Sequence, residues 1–199
     1  MTEQDRTTTK EKIMRVAAKM FSERGYDKVT MREIATAVGI NSASIYHHFP
    51  SKDAILKSLY GFYSEALREK NPDLGELLPL VETVPPHEVL MKTEFHFSEE
   101  MRQMLDQILV TASREICTDM ESEMFIRKNI FDNVENILRP LLQRMMELGK
   151  IEPLDLDNFL RVLTYFCFSA AVLNNSAFKI GVAEYQAGLA CIFSMIRVV

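Results

Sequence analysis

Residues 30–53 read TMREIATAVGINSASIYHHFPSKD, and this stretch decides the fold. Thr30-Met31-Arg32-Glu33 has the form of a capping box, in which Thr30 and Glu33 satisfy each other's free backbone amides. Ile34, Ala35 and Val38 follow at helical spacing, and Gly39 ends the helix after two turns. Asn41 is an N-cap for a second short helix over Ser42–His48, which Pro50 prevents from continuing. Two short helices joined by three or four residues that include a glycine describe a helix-turn-helix. Its internal spacing is physically demanding. Ala35 stands where the helices touch and only a small side chain fits. Gly39 can take the positive φ of the turn. Ile45 points back into the same core, which Ile34, Val38, Ile40 and Phe49 complete.

The outward side of the second helix is then Ser42, Ala43, Ser44, Tyr46 and His47. Short hydroxyls and a methyl suit base edges in a major groove, and longer groups suit phosphate oxygens. The free amides near Thr30 and Arg32, and those of a helix capped by Ser51 with Lys52 beside it, suit phosphate.

Working outward, Thr8-Thr9-Lys10-Glu11 forms another capping box. It opens a helix whose apolar stripe is Ile13, Val16, Ala17, Met20 and Phe21, with Gly25 as its left-handed stop. Ser51 caps a longer helix that reaches about Lys70. Residues 71–86 hold four of the seven prolines and read as a connector with room for a short helical turn. Beyond it, helices are predicted over His87–Phe97, Glu99–Cys117, Met120–Leu148, Leu156–Asn174 and Gly181–Val198. No stretch alternates long enough to argue for a strand.

The whole chain of 199 residues is 47% hydrophobic and 26% charged. That is the balance of a soluble globular protein, long enough to bury a sizeable core. No apolar run is long enough to span a bilayer, and the start carries no apolar signal core. The net charge of −5 is unevenly placed: residues 1–70 carry 12 Lys and Arg against 9 Asp and Glu, the remainder 11 against 19. A slightly basic head on an acidic body hints at an anionic partner for the head. Cys117, Cys167 and Cys191 lack metal or redox spacing and read as small core residues in a reducing compartment.

Thr30–Ala35, Val38–Asp53 and the leading Ala17–Phe21 and Gly25-Tyr26 strongly resemble the DNA-binding domain of the TetR family of bacterial repressors. The resemblance covers about residues 8–60; the rest agrees in length and helix order. It implies base-edge contacts at Arg32, Ser42, Ala43 and Ser44, and phosphate contacts at Thr30, Tyr46, His48 and Lys52. Asn41 stands where Ser or Thr is commoner. Ser42-Ala43-Ser44 replaces a segment that more usually ends in Gly-Thr, which leaves the operator sequence open.

The expectation is therefore an all-α protein in two parts. Residues 1–53 form a three-helix DNA-binding domain, with a linking helix over 51–70. Residues 71–199 form a helical domain for ligand binding and dimerisation. Twelve methionines and many phenylalanines give the second part adaptable apolar surface. Phe97, Met101, Met104, Phe131, Tyr165 and Phe166 are its candidate ligand contacts, for a small apolar or amphipathic molecule. The last two helices are apolar around much of their circumference and must be covered. Ser169, Ala170, Ala171, Ala177, Ala183, Ala187, Gly188 and Ala190 allow close approach, so a homodimer through these helices is expected, and the resemblance implies the same.

His47 and His48 are adjacent, point about 100° apart on a helix, and cannot chelate one ion. Glu94, His96, Glu99 and Glu100 read as a solvated face. No Gly-rich phosphate loop, nucleophile elbow or acid/base pair stands out, so no catalytic residue, metal or cofactor is expected. The reading is a cytoplasmic, ligand-responsive repressor that binds a palindromic operator as a dimer. The rival is an all-α enzyme or binding protein whose N-terminal helices dock a protein partner.

Overall fold

The computed structural model describes residues 8–93, 97–173 and 182–199. Its helices are α1 (Thr9–Arg24), α2 (Met31–Val38), α3 (Ser42–His48), α4 (Lys52–Lys70), α5 (Leu74–Thr83), α6 (Pro86–Met91), α7 (Glu99–Glu115), α8 (Met120–Ile126), α9 (Asn133–Glu147), α10 (Leu156–Leu173) and α11 (Val182–Phe193), with a π-helical segment at Arg127–Asp132 between α8 and α9. Among the described residues there is no β-strand, only one antiparallel bridge, Ile151 to Val198. The all-α expectation holds.

By contact the chain divides into two compact units. One is Met1–Ala66 with Phe97–Phe125, the other Leu67–His96 with Ile126–Val199. In the first, α1 packs on α2, α3 and α7. Ile13, Ala17, Phe21, Ile34, Ala35, Ile45, Ile55, Leu59, Ile108 and Ala112 are all fully buried there. Contact thus groups α7, from the chain's second half, with the N-terminal helices. Sequence periodicity cannot show which helices share a core.

In the second unit, α5 packs on α6 and α9, and α10 packs on α9, α11 and the π-helical segment. Leu77, Val81, Val89, Leu141, Leu142, Met145, Phe159, Leu160 and Leu163 form its core. Arg144 reaches Glu82 at 2.7 Å, and Lys150 Nζ donates to the carbonyls of Glu82 and Val84.

Several element boundaries differ from expectation. The connector over 71–86 contains a ten-residue helix, α5, with Pro79 inside it. Asp73 caps it by accepting from the Gly75 amide at 2.8 Å. The proline costs one backbone hydrogen bond, and burial of Leu77 and Val81 outweighs that loss. The helix expected over His87–Phe97 ends at Met91. The one expected over Met120–Leu148 runs unbroken from Met120 to Glu147, with a π-helical segment at Arg127–Asp132 inside it. Gly25 ends α1 at φ 89° and ψ 147°, so its φ is positive but it is not in the left-handed helical region.

Cys117 and Cys191 are exposed and Cys167 is half-buried, so they are not the fully buried core residues expected. Glu94, His96, Asn174 and Ala177 lie outside the described residues. Gly188 has a role within one chain: a Cβ there would sit 2.2 Å from Cζ of Phe166, so the α10–α11 packing needs its bare backbone.

Candidate nucleic-acid interface

The helix-turn-helix forms as its spacing predicts. Thr30 caps α2: its hydroxyl accepts from the Glu33 amide, and the Glu33 carboxylate accepts from the Thr30 amide at 2.8 Å. Gly39 sits at φ 79° and ψ 28° in the left-handed region. Its amide donates to the Thr36 carbonyl at 3.1 Å and that of Ile40 to the Ala35 carbonyl at 2.9 Å, which closes a Schellman turn. Asn41 caps α3 by accepting from the Ala43 amide at 2.6 Å. Ser51 caps α4 by accepting from the Ala54 amide at 3.1 Å.

These caps aim the side chains. Ile45 is fully buried and Phe49 nearly so, which turns the opposite side of α3 outward. Ser42, Ala43, Tyr46, His47 and His48 are exposed, and Ser44 is half-buried. Thr30 and Arg32 are exposed at the start of α2. Thr30 directs its amide and hydroxyl hydrogens to Glu33, so a phosphate at this end would meet the amides of the first turn rather than the Thr30 side chain.

Lys52 is half-buried, and its ammonium points to Tyr26. It donates to the Tyr26 carbonyl at 2.8 Å and lies 4.1 Å from the centre of the ring.

Two residues that sequence reading passed over help shape this surface. Arg24 binds Glu33 at 2.6 Å. Hydrogen bonds from Arg24 and Thr30 hold the Glu33 carboxyl down to about 2, against an ordinary 4.5. Lys10 lies 5.4 Å from the centre of the Phe49 ring, which brings a cation from α1 to the end of α3. A basic residue in the first turn of α1 was visible in the sequence, but its nearness to α3 is purely tertiary.

The Glu33 carboxyl makes a pH prediction. A depressed carboxyl stabilises the fold above its unfolded value and loses that contribution as pH falls through its folded value. The contribution from the α2 cap should be complete above about pH 4.5 and fade toward pH 2. Two-dimensional NMR of the Glu33 side chain through this range, with Arg24→Ala as comparison, checks it. The midpoint should move up toward 4.5 in the variant.

The candidate ligand residues divide between the units. Phe97, Met101 and Met104 are half-buried in the first. Phe131, Tyr165 and Phe166 belong to the second. There the Phe131 ring meets Tyr165 edge-on at 5.4 Å and Phe168 at 6.2 Å. Phe166 stacks on Tyr185 at 5.7 Å and covers Gly188, so it serves the α10–α11 packing. An open groove of about 310 Å³ is lined by Leu78, Pro79, Glu82 and Arg144, and none of the six candidates lines it.

The model of the family described as "Bacterial regulatory proteins, tetR family" matches residues 13–59. The repressor KstR2 of Rhodococcus jostii is 38% identical over 79 residues, which are 36% of this chain and 39% of that protein. The chain spans less than half the length of the curated relatives it matches. Among solved structures, the TetR family regulator PfmR of Thermus thermophilus aligns with a TM-score of 0.64 at 25% identity, over 97% of this chain and 98% of that one. AibR, solved with isovaleryl coenzyme A and operator DNA, has the same fold: TM-score 0.59 and 19% identity over 96% of this chain and 100% of that one. Residues 13–59 thus match the DNA-binding segment of the TetR family of bacterial regulatory proteins, and the chain shares a helical fold with a TetR family regulator over almost its whole length.

Proposed function

We propose that this protein is a ligand-responsive transcriptional repressor that binds a palindromic operator as a homodimer in the cytoplasm. The observation that carries the proposal is the α2–α3 pair. A left-handed Gly39 and a buried Ile45 hold it so that Ser42, Ala43, Tyr46, His47 and His48 face outward together. This polar, hydroxyl-rich face fits a major groove. In a two-fold dimer, two such faces would read half-sites about 34–36 Å apart. KstR2 bears the name of a repressor and the AibR structure contains operator DNA, and both support the reading. The match of residues 13–59 to the TetR family's DNA-binding segment also weighs against the rival reading of an enzyme or protein-docking module. No helix among the described residues is long and apolar enough to cross a membrane.

The dimer proposal rests on α10 and α11. Val162, Tyr165 and Leu173 are 47%, 54% and 37% exposed in the single chain, and with Ser169 they form one stripe along α10. Ala187, Ala190 and Cys191 on α11, with Ser194 just past its end, form an exposed stripe of small residues. An apolar stripe next to small side chains suits close packing against a second copy. For the ligand, the proposed contacts are Phe131 and Tyr165, with Phe97, Met101 and Met104 as further candidates. The π-helical segment that carries Phe131, with Asn129 buried in it, supports this choice, because such segments recur at functional sites. The ligand would release DNA by binding the non-DNA-binding arrangement more tightly.

The decisive experiment is a DNA shift assay with the region upstream of the protein's own gene at several salt concentrations, paired with sedimentation. Retarded DNA whose affinity falls steeply with salt is expected. Within that assay, Ser44→Ala or Arg32→Ala should change preference at particular base pairs, by roughly 1–3 kcal/mol each. A uniform loss across all operator variants would remove those residues from the base edges.

A further inference from the structure

Lys10 stands in the first turn of α1, one turn before the buried Ile13 and Met14. That register puts it on the side of α1 that packs on α2, α3 and α7. Its ammonium lies 5.4 Å from the centre of the Phe49 ring. Phe49 is fixed to α3: it is the C-cap, its amide donates to the Ile45 carbonyl at 2.9 Å, and its ring is almost fully buried. A cation carried by α1 is thus held at the C-terminal end of α3, one residue past the exposed His48.

Other cations of α1 point elsewhere. Lys12, Arg15 and Lys19 are exposed. At 3.6 residues per turn they lie roughly 140–200° around the helix from Lys10, on the side away from the core. Among the described residues none of these four side chains makes an ion pair. The carboxylate of Glu11, next in the chain, accepts from the Thr8 amide at 2.9 Å instead. Arg24, at the other end of α1, is taken up by Glu33 at 2.6 Å. An α-helix with its side chains is about 10–12 Å across and the major groove about 12 Å wide, so a helix seated there has a phosphate wall close on each side. A cation fixed against the end of that helix meets the wall and not a base edge.

We propose that Lys10 contacts an operator phosphate, so that α1 adds a backbone contact at the C-terminal end of the recognition helix, while Lys12, Arg15 and Lys19 take no part in it. The inference rests on the DNA-binding reading above. A phosphate contact carries no base information, so it raises affinity for every duplex alike. Lys10 therefore contributes to how tightly α3 is held on DNA and not to which sequence it selects.

The test uses the full-length chain, a duplex that it enriches from a random-sequence pool, and a random duplex. Lys10→Gln should weaken binding to both duplexes alike, by about eightfold at about 0.1 M salt, and lower the magnitude of the salt slope by about 0.9. Lys10→Met, which keeps the stem on the Phe49 ring and removes the charge, should match it. Lys10→Arg should bind like wild type, and Lys12→Gln and Lys19→Gln should leave the slope unchanged. Phosphates of the enriched duplex are then replaced one at a time by uncharged methylphosphonate. At least one replacement should weaken wild type several-fold and Lys10→Gln not at all, since both changes remove the same contact. Melting curves for every variant show that the loss is read on folded protein. An unchanged slope in Lys10→Gln and Lys10→Met would overturn the inference and confine Lys10 to packing on Phe49. Equal slope losses in Lys12→Gln and Lys19→Gln, or a duplex with no such phosphate, would overturn it as a general effect of charge. A pool from which nothing is enriched would overturn the DNA-binding reading itself, and the inference with it.

Discussion

Ala187→Glu is expected to abolish high-affinity operator binding without touching a DNA-facing residue. Ala187 lies in the exposed small-residue stripe of α11, on the proposed dimer seam. A glutamate there would bury its carboxylate beside the two-fold copy of itself. An unpaired buried charge costs several kcal/mol. The dimer should dissociate, and each monomer would then offer one recognition helix to one half-site. Losing the second contact removes the gain from linking two binding events, about 10²–10⁴-fold in affinity. Sedimentation should show a monomer or aggregate, and the shift assay should show collapse toward non-specific affinity. A variant that stays fully dimeric would move the seam away from α11.

Gly39→Val should remove operator binding by a different route. Gly39 holds φ 79° and ψ 28°, a conformation that costs an ordinary L residue roughly 1–2 kcal/mol and a β-branched one more. A Cβ at this position would meet nothing within 4 Å, so the penalty is one of backbone conformation and not of collision. The turn would relax to negative φ, and its two Schellman hydrogen bonds, from Gly39 to Thr36 and from Ile40 to Ala35, would break. The α3 helix would lose its fixed angle to α2. We expect at least a tenfold loss of operator affinity with the dimer intact, because the residues of the proposed seam belong to the other compact unit. Gly39→Asn is the control and should retain most binding, since asparagine tolerates the left-handed region. Normal DNA binding by Gly39→Val would show that the turn does not depend on this conformation. The same shift assay reads both variants, and circular dichroism confirms that helix content is kept.

The helix-turn-helix was legible because everything that defines it is local. Thr30 meets Glu33, Gly39 follows Ala35 by four residues, and Asn41 precedes α3, all within one or two turns of chain. Caps, stops and the buried side of a short helix are i to i+3 and i to i+4 relations, which a sequence displays directly. The same holds for the first helix and its Thr8–Glu11 box. Where local rules compete with burial they mislead. Four prolines in 71–86 read as a connector, but Leu77 and Val81 found α9 to pack against, and α5 formed around Pro79.

Contacts between distant segments were illegible for the same reason. No local rule says that Lys52 bends back across 26 positions to the Tyr26 carbonyl, or that Gly188 makes room for Phe166 within the same chain. Nor does one say that α7 shares a unit with α1, or that Cys117 and Cys191 stand exposed. The apolar content of α10 marked it as a helix in need of cover, but not which of its residues the rest of the chain would cover. Phe159, Leu160 and Leu163 went into the core, while Val162 and Tyr165 stayed outside. Helix identity and capping come from neighbours along the chain, each worth about 1 kcal/mol and readable in order. The direction of Lys52 and the division of α10 between core and surface come from packing among segments brought together only on folding, where the choice depends on shape and charge across the whole unit.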